Sequence, residues 1–157
     1  MTHSEDQIWM REALACAQKA YDQNEVPVGA VVVLNNQIIG RGWNQPISNH
    51  DATAHAEVMA IRAASQNIQN YRLVDAALYV TIEPCAMCFG ALVHARIKKL
   101  VYGAPEPKSG VIYSNLNFPE QTFLNHSVEI EKDILAEEST ALIQQFFKMR
   151  RALKKKV

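Results

Sequence analysis

The chain lacks what several classes of protein require. Its 157 residues include only three cysteines, six glycines and six prolines. Three is an odd and small number for a disulfide framework, and so little glycine and proline excludes a collagenous or low-complexity chain. No apolar run approaches the ~18 residues needed to cross a bilayer. The polar start from Met1 to Asp6 leads into no apolar signal-peptide core, so a cytoplasmic location without a membrane partner is expected. Net charge is missing too. Sixteen Lys and Arg balance sixteen Asp and Glu, and the molecule as a whole has no electrostatic pull toward nucleic acid.

What is present is a soluble globular composition, 48% hydrophobic and 20% charged. The length suits a single domain over residues 1–157 that buries a sizeable core. Charge is segregated at the end. Lys148, Arg150, Arg151, Lys154, Lys155 and Lys156 follow a run that holds Glu129, Glu131, Asp133, Glu137 and Glu138. A basic terminus is either a footprint for phosphate backbone or a solubilising tail.

Ser4-Glu5-Asp6-Gln7 has the form of a capping box, and an amphipathic helix is expected from there to about Gln23. Ala30 to Leu34 and Gln37 to Trp43 read as a hairpin around Asn35-Asn36, since asparagine tolerates the positive φ of a tight turn. A loop over Asn44 to Thr53 precedes a helix from Thr53 or Ala54 to about Gln66. Ala77 to Ile82 is a buried strand ended by Glu83-Pro84, and a third helix runs from about Cys85 to Arg96. Lys99 to Tyr102 and Val128 to Glu131 are further strands. Ala104 to Pro119 is irregular, and a last helix spans about Ile134 to Leu153. This order points to an α/β sandwich with helices on both faces of a mixed sheet.

Cys85 and Cys88 stand three apart, so one helical turn brings both sulfurs to the same side. Pro84 fits the entrance of that helix, whose free N–H groups favour thiolate over thiol. A lone C-x-x-C is either redox-active or metal-binding, and no tryptophan or glycine beside the pair supports the redox reading. His55 supplies a third ligand of the kind zinc takes, leaving a fourth position open, as in catalytic rather than structural sites. Glu57 is two residues from His55, and a pocket across the helix start would let both side chains converge. A glutamate there can take a proton from water and deliver it to a leaving group. His-x-Glu followed by Pro-Cys-x-x-Cys is the signature of zinc deaminases. Cys16 falls on the apolar face of the first helix and reads as core.

Around these motifs the sequence resembles the cytidine deaminase superfamily, and within it bacterial tRNA-specific adenosine deaminases. The likeness runs through Val26-Pro27-Val28-Gly29-Ala30, Gly42-Trp43-Asn44, Asn49-His50-Asp51 and the two zinc motifs. It continues in Asn70-Tyr71-Arg72-Leu73, Asn125-His126 and Phe146-Phe147-Lys148-Met149-Arg150-Arg151. The resemblance implies a three-layer α/β/α cytidine-deaminase-like fold with a central mixed five-stranded sheet. It implies one Zn2+ per subunit on His55, Cys85 and Cys88, with Glu57 catalytic. Adenosine at the wobble position of a tRNA anticodon would become inosine, on a homodimer. Asn44 would bind the target nucleoside, the Ala56 N–H would face the base, and Lys108, Asn125 and Arg150 would touch the anticodon loop. Glu106, between Pro105 and Pro107, departs from the aspartate common in the family, and Val111-Ile112-Tyr113 is bulkier than expected. The sequence context accepted 5′ of the target is where a difference would show. The alternatives are a deaminase of a free nucleobase or nucleoside, of guanine or cytosine type, and a non-catalytic zinc-stabilised RNA-binding module.

Overall fold

The computed structural model describes residues 3–155; the last member of the basic run, Lys156, lies outside them. Five strands form one sheet in the order β2-β1-β3-β4-β5. β1 (Gly29–Leu34) is central to an antiparallel half, paired with β2 (Gln37–Trp43) and β3 (Ala77–Ile82). β3, β4 (Lys99–Ala104) and β5 (Glu129–Glu131) run parallel. Both turn residues of the β1–β2 hairpin have positive φ, 51° at Asn35 and 60° at Asn36, as the asparagine pair predicts.

Strand alternation sorts the core into two layers. Ala30, Val32, Leu78, Val80 and Leu100 pack with Ala56, Ala60 and Ala64 of α2 (Ala56–Ile68) and with Phe89, Leu92 and Val93 of α3 (Ala86–His94). Val31, Val33, Tyr79 and Val101 point the other way, onto Met10, Ala13 and Cys16 of α1 (His3–Asp22). α4 (Ala136–Lys155) packs beside α1 on that face. The three-layer α/β/α architecture with a mixed five-stranded sheet is therefore observed. Cys16 is core, 1% exposed.

Several boundaries differ from the sequence reading by a few residues, and three are instructive. α1 is already helical at His3, so the Ser4 capping box lies inside the first turn. β4 continues two residues past Tyr102 to Ala104, because Ile82 and Ala104 still pair in register. α2 starts at Ala56 rather than at Thr53 or Ala54. Asp51 diverts the chain there, its carboxylate accepting from the Thr53 N–H at 2.9 Å and the Thr53 hydroxyl at 2.7 Å. Such side-chain bonds compete with helix formation.

The placement of α2 depends on glycine. At Gly42 in β2, an added Cβ would collide with the Ala56 carbonyl and the Ala60 nitrogen, and Gly40 meets the next turn of α2 in the same way. The missing side chains let the helix lie directly on the strand. That brings the first turn of α2 against the end of β2, where Asn44 follows.

Candidate active site

Both motifs sit at helix starts, at the same end of the sheet. His55 is the N-cap of α2, with φ −74° and ψ 153°, and Cys85 is the N-cap of α3, with φ −82° and ψ 175°. Neither side chain makes a capping hydrogen bond. They face each other instead: His55 Nδ1 lies 3.7 Å from Cys85 Sγ and 3.5 Å from Cys88 Sγ. All three donor atoms fall within 4.8 Å of one another. A tetrahedral site with metal–nitrogen near ~2.05 Å and metal–sulfur near ~2.3 Å has nitrogen–sulfur edges of about 3.6 Å. The donors are thus spaced to hold a metal ion.

The electrostatics agree with ligation. Hydrogen bonding from Cys88, helped by His55 and opposed by burial, lowers the Cys85 thiol to about 4. Cys88 moves upward, because it donates to Cys85 and is itself buried. His55 is raised by its bond to Cys85. A thiol shifted toward thiolate therefore faces an imidazole shifted toward its protonated form, and a dication would take the place of the protons they hold.

Glu57 occupies the second helical position of α2 and is only 3% exposed. Burial pushes its carboxyl up to about 7, and the Cys85 thiolate adds to the rise. The placement explains how residues two apart converge: His55 is not yet on the helix cylinder, so both side chains reach the space in front of the helix start. A cavity of about 170 Å³ lies there, with Asn44, His55, Glu57, Cys85, Glu106 and Ser109 in its wall.

The remaining residues singled out from the sequence divide into two groups. Asn44 and Ala56 are joined, Asn44 Oδ1 accepting from the Ala56 N–H at 2.9 Å. The amide expected to face a base is thus engaged by the side chain expected to hold the nucleoside. Lys108 is exposed near the cavity mouth, and its own amide donates to Glu106 Oε1 at 2.9 Å. Asn125 and Arg150 are outside the cavity wall. Asn125 accepts from Arg96 just beyond the far end of α3, a helix whose nine residues span about 13 Å. Arg150 lies over the Phe146 ring on α4 at 5.5 Å.

Two buried carboxylates that hold the loops around the cavity are not legible in the sequence. Glu25, 2% exposed, accepts from the amides of Ile47 and Ser48 and from the Ser48 hydroxyl, tying down the loop after Asn44. Glu83, also 2% exposed, gathers donors from the loop that carries Glu106. The available signal was a charged residue beside a buried apolar segment, Val-Pro-Val after Glu25 and β3 before Glu83. Such a residue is almost never buried unless paired.

The chain is similar to known deaminases over most of its length. The MafB19-like deaminase family matches residues 4–151. A tRNA-specific adenosine deaminase of Haemophilus influenzae is 49% identical over 151 residues, covering 96% of this chain and 87% of that one. A solved structure from a study of A-to-I editing by tRNA:A34 deaminases at the wobble position is 40% identical. It superposes with a TM-score of 0.83 over 85% of this chain and 97% of its own. A guanine deaminase of Nitrosomonas europaea, 20% identical with a TM-score of 0.78 over 89% of this chain and 83% of its own, shares the fold. The chain belongs to the tRNA-specific adenosine deaminases, within the MafB19-like deaminase family.

Proposed function

We propose that this chain is a zinc-dependent hydrolase, acting as a single domain, that converts adenosine to inosine at the wobble position of a tRNA anticodon. One observation carries the reading: a buried glutamate and two members of a His-Cys-Cys donor set, His55 and Cys85, line one small cavity, in a chain 49% identical to a tRNA-specific adenosine deaminase. One imidazole and two sulfurs are a donor set suited to zinc, one ion per subunit. When bound there, zinc supplies a Lewis acid that favours hydroxide over water near neutral pH and holds neighbouring carboxyls toward the ionised form.

The reaction replaces the C6 amino group of adenine by oxygen, consuming one water and releasing ammonia. Glu57 takes a proton from the attacking water and passes it to the ring nitrogen beside C6, then takes the proton of the new C6 hydroxyl and delivers it to the departing amine. Its burial keeps bulk water from competing for those protons. Asn44 holds the nucleoside while its Oδ1 stays fixed by the Ala56 amide. The cavity admits one base out of its stack, and a single-stranded loop gives up a base at least cost. Lys108 and Arg150 contact the anticodon-loop backbone. Asn125, on the Arg96 side, contacts RNA that remains outside the cavity. A homodimer in the cytoplasm is the setting that the resemblance implies; among the described residues no helix is long and apolar enough to cross a membrane.

The test is to incubate the protein with a tRNA bearing adenosine at the wobble position and, separately, with free nucleobases. Inosine in the tRNA is the expected product. Ammonia from free bases alone rejects the tRNA substrate, and no product from either, with zinc bound, favours a binding module.

A further inference from the structure

The loop 105–115 forms one side of the cavity mouth and contains no strand or helix. Glu83 provides most of its polar ties to the fold, beside the Val111 amide, which donates to Pro84 O at 3.1 Å, and the buried side chains of Val111 and Ile112. The Glu83 N–H donates to Ala104 O at 2.8 Å, which places the side chain under the loop. Oε1 accepts from the Glu106 amide at 3.1 Å and from the Ser114 hydroxyl. Oε2 accepts from the amides of Ile112 and Tyr113, both at 2.9 Å, and of Ser114 at 3.1 Å. Five donors satisfy a carboxylate's full capacity of about four lone-pair sites and more. All come from residues 106–114, and among the described residues no Lys, Arg or His forms an ion pair with Glu83. Gly110 passes so close above it that a Cβ would lie 2.6 Å from both oxygens.

The segment gathered in this way carries Glu106 and Ser109 into the cavity wall, with Lys108 exposed between them in the chain. A base that reaches His55 and Glu57 occupies the bottom of the cavity. The rim then meets what stays outside, the sugar–phosphate and the flanking nucleotides. We propose that Glu83 is a positioning residue that fixes this rim, and through it sets how strictly the nucleotides flanking the target adenosine are accepted. The inference rests on the tRNA reading for its substrate and on the Glu83 hydrogen bonds for its physics. Glutamine cannot substitute fully, because its NH2 would confront amides that already donate.

The experiment compares wild type, Glu83→Gln, Glu83→Ala and Gly110→Ala. It uses two anticodon stem-loops that differ only in the nucleotide 5′ of the target, with kcat and KM determined separately, zinc content measured, and amide hydrogen exchange followed over 106–114. Gly110→Ala displaces the loop while leaving Glu83 chemically intact. Glu83→Gln should keep its zinc, raise KM about tenfold and narrow the preference between the RNAs. Glu83→Ala should go further, and Gly110→Ala should reproduce the lost preference. Exchange at 106 and 112–114 should accelerate about tenfold or more in the Glu83 variants. Unchanged exchange in Glu83→Ala overturns the proposal, as does an unaltered RNA preference alongside accelerated exchange. Lost zinc with an equal fall in kcat on both RNAs also overturns it, since Glu83 would then support the metal helix. Wild type inactive on both RNAs rejects the tRNA reading and with it the specificity role, while exchange still decides whether Glu83 fixes the rim.

Discussion

Glu57 and Glu83 are buried to almost the same degree, 3% and 2% exposed, in the wall of one cavity. Their carboxyls nevertheless move in opposite directions. Burial raises Glu57 to about 7, and the nearby Cys85 thiolate reinforces it. Burial also presses Glu83 upward, but the Ser114 hydroxyl and the amides of Tyr113, Ser114 and Glu106 outweigh it, and Glu83 settles below the usual carboxylate range. The Glu57 carboxyl lies deeper and beside a thiolate, while Glu83 is met by a cluster of donors, and these together make the difference. A carboxyl with few donors titrates near neutrality and suits proton transfer. One surrounded by amides is a fixed negative anchor.

Three substitutions sharpen or break that contrast. The largest effect is expected from Glu57→Gln, which keeps the shape and removes the proton carrier. Turnover should fall about a thousandfold, measured as single-turnover inosine formation with zinc content unchanged; near-normal turnover would end the proton-transfer role. Ser114→Ala removes one donor from Glu83 and leaves the amides. KM for the stem-loop should rise about threefold, with a stability loss of about 1 kcal/mol in denaturant titration. The smallest effect on function belongs to a buried carboxylate away from the cavity. Asp6, 3% exposed, accepts from Tyr79 OH at 2.8 Å and pairs with Lys99 at 3.5 Å on the α1 side of the sheet. Asp6→Asn should cost about 1 kcal/mol of stability and leave kcat, KM and RNA preference as in wild type. A change in RNA preference there would mean that burial of a carboxylate, rather than its position at the cavity, matters.

These contrasts also show where the sequence was readable. His55, Glu57, Cys85 and Cys88 were legible because each motif is local, one helix start apiece, and their convergence needs only that the two starts meet. The hairpin was legible from Asn35-Asn36, and β3 from its uninterrupted apolar run. Glu83 was not legible as an anchor, since its donors lie 23 to 31 residues further on. Those donors come from a loop without periodicity. Glu25 reaches its partners across 22 and 23 residues for the same reason. The start of α2 was misplaced because Asp51 and Thr53 settle it by side-chain bonds that no periodicity reveals. A segment likeness alone points Asn125 to the anticodon loop, and its place beside Arg96 at the far end of α3 is a matter of tertiary structure.

The most direct measurement is a paired steady-state analysis of Glu57→Gln and Glu83→Gln on one anticodon stem-loop, at matched zinc content, with kcat and KM resolved separately. The two-carboxylate account predicts that the first variant loses kcat with KM nearly unchanged, and that the second raises KM while retaining most of kcat. Equal losses of kcat in both variants, or a Glu57→Gln enzyme that still turns over, would contradict it.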